Sequence, residues 1–191
     1  QVEKCNAKPN MKRSLSSLKE LKIGLLNGEF YKNWQFSLTL VKFLERSGYT
    51  IKVYVLGKKT KKFSDYLDNI KICSSVEFRT GLDSAQIYLY YDNLDIFLFP
   101  SKIEGLGQPL IEALLRKVPT FASDIAVFRE ITDNEYPLFP CVAEKEITNF
   151  LTIFTDELKS KKTFDLIQSS LERYDWDVAA NQINSMYAIS T

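Results

Sequence analysis

The feature that most constrains this fold is residues 94–100, LDIFLFP, the most apolar run of the chain. It is too short for a buried helix, and it does not alternate as a half-exposed strand would. Such a run belongs in a strand covered on both faces, the situation at the centre of a parallel sheet. Similar short runs occupy residues 21–27 before Gly28, 50–57 ending at Gly57, 76–81 ending at Gly81, and 119–124, with a weaker one at 136–140. Helical patterns separate them. Residues 33–46 place Phe36, Leu38, Leu40, Phe43 and Leu44 at mostly helical spacing, and shorter helices are expected at 63–70 and 84–91. Another starts near Gln108–Pro109, with proline at the favoured first position and Leu110, Ile111, Leu114 and Leu115 on one face. Two further helices, about 143–159 and 163–186, close the chain. Strand–helix alternation of this kind predicts an α/β fold: a Rossmann-like, doubly wound parallel sheet with helices on both faces. Residues 1–17 read as an arm or linker, and 18–191 as one domain with C-terminal helices.

Composition narrows the chemistry. The chain has no histidine, so His-based triads, His-ligated zinc and histidine acid/base catalysis are excluded within it. With 25 Lys+Arg against 24 Asp+Glu the net charge is +1, which leaves no general footprint for nucleic acid. Cys5, Cys73 and Cys141 form no CxxC pair. A sparse, odd set suits reduced thiols and a cytoplasmic setting. No apolar run approaches a membrane span, and residues 1–14 lack the apolar centre of a signal peptide. The chain begins with Gln1 rather than Met, which leaves open a processed or excised chain or a start at Met11.

In a doubly wound sheet, ligands bind beyond the carboxyl ends of the strands. Attention therefore falls on residues 99–124, which follow the most buried strand. Gly105 and Gly107 lie just before a helix N-terminus, where free N–H groups and the helix dipole favour an anion such as a diphosphate. Glu104 precedes the loop and Glu112 lies early in the helix. Carboxylates there can accept hydrogen bonds from sugar hydroxyls. A glutamate in a first turn can equally serve only the dipole, and paired glycines only a turn. The residues alone leave both readings open.

The stretch PSKIEGLGQPLIEALLRKVPTFASDIAVFREI, beginning at Pro100, resembles the signature of the GT-B glycosyltransferases of group 1 (family 4). That signature is a Glu-x7-Glu pair in the context PSxxEGFGLPxLEA. Ser101, Glu104, Gly105, Gly107, Pro109, Glu112 and Ala113 match, followed by Pro119, Ala122, Ser123, Asp124 and the run Phe128-Arg129-Glu130. Residues 174–187, YDWDVAANQINSMY, are similar to the family's tryptophan-led C-terminal helix. The resemblance spans about residues 20–188 and implies the C-terminal, donor-binding half of a GT-B fold. It implies that Glu112 binds the ribose hydroxyls of a nucleotide-sugar donor and that Glu104 faces the sugar as the catalytic-site carboxylate. The N–H groups of Leu106 and Gly107 would approach sugar or diphosphate, with Gly105 counted among the donor-binding residues. Lys32, followed by Asn33, fits the lysine of the family's Gly-Arg…Lys pair, but the arginine is missing and Gly28 is followed by Glu29. A carboxylate near a diphosphate has the wrong sign. Lys117 replaces a usual glycine, Lys59 stands where a GxG turn is common, and Arg79 and Thr80 align loosely with the region that meets the base.

The expected reaction is a retaining, metal-independent sugar transfer to an unknown acceptor, with no cofactor and with a nucleotide-diphosphate sugar as substrate. It would need an N-terminal domain or a partner subunit to supply the acceptor site. The alternative is a non-catalytic accessory or degenerate domain, favoured by the missing arginine. Other signals are weaker. Residues 57–62, GKKTKK, resemble a P-loop tail, but Lys52 occupies the required upstream glycine position. Gly105-x-Gly107 with Asp124 gives half of a dinucleotide fingerprint, with Leu110 in place of the third glycine. Residues 87–93, IYLYYDN, read as a packed helix rather than a base-stacking platform.

Overall fold

The computed structural model of the chain describes residues 20–174. Five parallel strands form one sheet in the order β3-β2-β1-β4-β5: β1 Glu20–Leu26, β2 Thr50–Leu56, β3 Ser75–Arg79, β4 Ile96–Phe99 and β5 Thr120–Ala122. The register pairs Ile23 with Val53, Leu25 with Leu98 and Phe99 with Ala122. All five strands expected between residues 21 and 124 are present. Parallel strands need crossovers, and right-handed ones place α1 (Trp34–Arg46) and α2 (Lys61–Ile70) on one face. The same rule puts α3 (Ser84–Asp92) and α4 (Gln108–Leu115) on the other. Every residue of β4 is buried, as its unbroken apolar run requires.

The core is strongly aromatic. The Tyr91 ring meets Phe97 edge-on at 5.3 Å, Phe97 stacks on Phe99 at 5.7 Å, and Phe99 continues to Phe128 at 5.2 Å. Helix α3 crosses β1 at Gly24, where a β-carbon would lie 2.2 Å from Leu94 Cδ1 and 2.8 Å from the Tyr90 hydroxyl. The bare backbone lets that buried hydroxyl donate to the Tyr54 carbonyl at 3.0 Å. Residues 87–93 thus lie largely in a packed helix, with Tyr90 and Tyr91 buried.

Three expectations are corrected. Residues 136–140 do not form a strand: only Phe139 bridges Ser123 in parallel. Pro137 and Pro140 cannot donate to a ladder, so pairing stops after Phe139 N–H reaches Ala122 O and Asp124 N–H reaches Phe139 O. The closing helices divide elsewhere, as α6 (Glu146–Phe154) and α7 (Glu157–Glu172). Asp156 causes the break, because its carboxylate accepts from Lys159 N–H and starts a new helix. A short helix, α5 (Ala126–Ile131), also fills a segment in which no element was expected. The expected arm at 1–17 and nearly all of the tryptophan-led stretch at 174–187 lie outside the described residues.

Candidate functional site

In the order 3-2-1-4-5 the strand order reverses between β1 and β4, and in open α/β sheets ligands bind beyond the carboxyl ends of the strands at such a switch point. The loop after β1 closes with a 3₁₀ turn, Phe30–Lys32, ended by Asn33 in the left-handed region at φ 54°. Backbone pairing ties it to the loop after β4, because Lys102 N–H donates to Tyr31 O at 2.8 Å. This link brings together side chains 72 residues apart. Lys32 Nζ lies 2.8 Å from Glu104 Oε1, with 20% of the lysine side chain and 8% of the glutamate side chain exposed. The ammonium also sits 5.5 Å from the ring centres of Tyr31 and Phe99, within cation–π range.

Two glycines shape the next turn for different reasons. Gly107 precedes α4 at φ 69°, and a β-carbon there would lie 2.8 Å from Ile131 Cδ1 and 2.9 Å from Phe128 Cε1. The unexpected helix α5 therefore explains Gly107 by packing. Gly105 is exposed, and a β-carbon on it would meet nothing within 4 Å. The fold does not require glycine at 105. Ser101 serves through its backbone: it is fully buried, and its carbonyl accepts from the Ser123 hydroxyl, joining the ends of β4 and β5.

Glu112 is held separately on α4. Its Oε1 accepts from Gln108 Nε2 at 2.8 Å and its Oε2 from the Tyr91 hydroxyl at 3.1 Å. Burial, and then the Glu112 charge, hold the Tyr91 phenol well above its ordinary pKa. Tyr91 and Gln108 had no expected role. The contact with Tyr91 joins two helices 21 positions apart, whereas Gln108, one helical turn before Glu112, carries a local signal: an i, i+4 pair. Next to this contact, Arg116 Nε donates to Asp92 Oδ1 at 2.8 Å, fastening α4 to α3 again.

Other residues singled out in the sequence lie apart from these contacts. Arg79 ends the outer strand β3, where it pairs with Glu77 at 2.8 Å and lies 5.7 Å from the Tyr54 ring centre. Glu29 is exposed, and its carbonyl accepts from Lys32 N–H at 2.9 Å. In residues 57–62 the Thr60 hydroxyl caps α2 by accepting from Phe63 N–H. Lys117 has φ 54°, which accounts for a glycine at that position in the family pattern. Among the described residues no three Cys, Asp or Glu side chains gather as a metal-holding group, and no helix is long and apolar enough to cross a membrane.

Fold and site together define an α/β domain of Rossmann type whose carboxyl edge carries a paired lysine and two separately held glutamates. The family model for glycosyl transferases group 1 matches residues 12–166, and the chain belongs to that family. It is 26% identical over 165 residues to protein CapJ of Staphylococcus aureus, an alignment covering 84% of this chain and 40% of CapJ. Its fold superposes on sucrose-phosphate synthase of Thermosynechococcus elongatus with a TM-score of 0.71 at 16% identity, covering 88% of this chain and 45% of that one. The C-terminal domain of a glycosyl transferase group 1 family protein of Francisella tularensis gives 0.62 at 19% identity, covering 78% and 85%. The chain thus spans less than half the length of CapJ or the synthase, but most of an isolated C-terminal domain. The match is to the C-terminal half of a GT-B fold.

Proposed function

We propose that this chain is the donor-binding part of a retaining glycosyltransferase that uses a nucleotide-diphosphate sugar. The observation that carries the reading is the meeting of Lys32 and Glu104 at the switch point, with Glu112 on the helix that follows. In this reading Glu112 accepts hydrogen bonds from the ribose hydroxyls and Lys32 neutralises the diphosphate with help from the α4 N-terminus. Glu104 orients the sugar, the backbone of Gly105, Leu106 and Gly107 lies against sugar or diphosphate, and Arg79 reaches toward the base. The bond from the sugar's anomeric carbon to the phosphate oxygen breaks, and its electron pair stays on the diphosphate. The acceptor hydroxyl oxygen bonds that carbon on the same face and passes its proton to the departing phosphate. Stabilising that departing charge is the task of Lys32 and the helix; no metal or cofactor is needed in this scheme.

The acceptor wall would come from a further domain or a partner subunit in the cytoplasm. Support for a covering surface comes from Phe30, Ile103 and Leu106, large apolar side chains that are 67%, 64% and 52% exposed on the two loops of the site. One observation favours a second reading, a donor-binding module without catalysis: Glu29 stands where the family carries arginine. Both readings require donor binding. Alone, the chain would hold donor weakly, about −4 kcal/mol or near millimolar, and would transfer sugar only when the acceptor wall is supplied. Calorimetry with nucleoside diphosphates tests the shared step. Glu112→Gln should lose on the order of 1.5–3 kcal/mol of binding, and unchanged affinity would remove the ribose role.

A further inference from the structure

The donors around Glu112 carry an inference that rests on the reading above and adds two residues to it. An ionised carboxylate offers about four lone-pair directions, two on each oxygen. In this structure one direction on each oxygen is taken: Gln108 Nε2 donates to Oε1 at 2.8 Å and the Tyr91 hydroxyl to Oε2 at 3.1 Å. Among the described residues, one acceptor direction per oxygen remains. We propose that Tyr91 and Gln108 are positioning residues that turn Glu112 into a clamp for a cis-diol, the paired 2′- and 3′-hydroxyls of a ribonucleotide.

The two donors hold the carboxylate from opposite sides of the chain's architecture. Tyr91 comes from α3, where its ring is wholly buried and edges onto Phe97 at 5.3 Å; its hydroxyl therefore cannot swing away without breaking the core. Gln108 stands one turn before Glu112 on α4 itself and is exposed, so it bounds the carboxylate on the solvent side. It occupies a position where the family pattern carries leucine. With both oxygens held, the carboxyl plane has one orientation, and a diol that presents two donors meets two acceptors already facing it. A ligand lacking one hydroxyl would leave one desolvated carboxylate oxygen short of a partner, which is costly. Tyr91 and Gln108 would not touch the nucleotide, and their effect would pass through Glu112.

The test compares ribo- and 2′-deoxyribonucleoside diphosphates by ligand-observed NMR titration of the 191-residue chain. Uridine, guanosine and adenosine diphosphates are tried first, and the tightest is taken forward with its 2′-deoxy counterpart. The wild type should prefer the ribo form by about tenfold. Tyr91→Phe, which keeps the ring in the core, and Gln108→Ala, which changes an exposed side chain, should each reduce that preference at least threefold, leaving affinity for the deoxy form nearly unchanged. A purely structural role would lower both affinities together. A wild-type preference that both variants retain overturns the positioning role and leaves the ribose reading intact. A wild type that binds both sugars equally, or binds no nucleotide, overturns the ribose reading and this inference with it. If Tyr91→Phe lowers the melting temperature too far to titrate, Gln108→Ala alone decides.

Discussion

The ammonium expected to meet a diphosphate pairs with Glu104, and this has opposite consequences for the two halves of the pair. At 2.8 Å, with the glutamate side chain 8% and the lysine side chain 20% exposed, the contact lies between a surface and a fully buried ion pair. Removing one partner of a buried pair costs about 3–5 kcal/mol, and an exposed pair is worth about 0–1. Since the lysine retains some solvent, Lys32→Met should destabilise the chain by about 2–3 kcal/mol, chiefly by stranding the Glu104 carboxylate. For a domain of this length that is a fall of about 4–12 °C in melting temperature. The double variant Lys32→Met/Glu104→Gln strands no charge and should recover all but about 1 kcal/mol. Binding should move the other way for the glutamate. Glu104→Gln releases Lys32, so nucleoside diphosphate affinity should rise by about fivefold, or 1 kcal/mol, while Lys32→Met lowers diphosphate affinity and leaves the monophosphate almost unaffected. Urea unfolding and calorimetry on the same four proteins read both effects. Additive destabilisation in the double variant, or weaker diphosphate binding by Glu104→Gln, would refute the shared-cation reasoning.

Other expectations follow from single positions. Gly107→Ala should cost about 2–4 kcal/mol, from left-handed strain and from contact with Phe128 and Ile131. Gly105→Ala should change stability by less than about 0.5 kcal/mol yet weaken nucleotide-sugar binding; equal melting shifts in the two would refute the distinction. Lys117→Gly should stabilise by about 0.5–1 kcal/mol, because relief at φ 54° exceeds the added unfolded-state freedom; a lower urea midpoint would contradict it. Burial, with Glu146 and Asp124 adding to it, pushes the Cys141 thiol up to about 12, whereas Cys73 is exposed. Peptide mapping after iodoacetamide at pH 8 should find Cys73 alkylated and Cys141 intact, and the reverse order would count against the packing around Phe139.

The parts of the fold legible in sequence were those that bury continuous apolar chain. Residues 94–100 could hardly be anything but a central strand, and β1 and β2 share that character. Residues 136–140 also carry apolar side chains, but their prolines remove donors that a strand would need, so side-chain pattern overstated backbone pairing. Helix α5 has six residues, too few for a helical period to show. At the site, the local spacing of Glu104 and Glu112 around two glycines was readable because a loop and one helix carry all of it. The Lys32–Glu104 contact depends on strands β1 and β4 lying side by side, a consequence of topology rather than of either segment. Tyr91 was readable as core, and it is core. Its hydroxyl gains a second task only because α4 is pinned against α3, partly through Arg116 and Asp92.

The central claim, that the carboxyl edge at β1 and β4 is a nucleotide-diphosphate site, is tested most directly by amide chemical-shift mapping of the 22.1 kDa chain. Titration with the tightest nucleoside diphosphate should shift the amides of Lys32, Gly105, Leu106, Gly107 and Glu112 along one saturable curve, and Glu112→Gln should weaken it. Saturable shifts confined to residues 57–62 and α2, with the Glu104–Glu112 segment unmoved, would contradict the account.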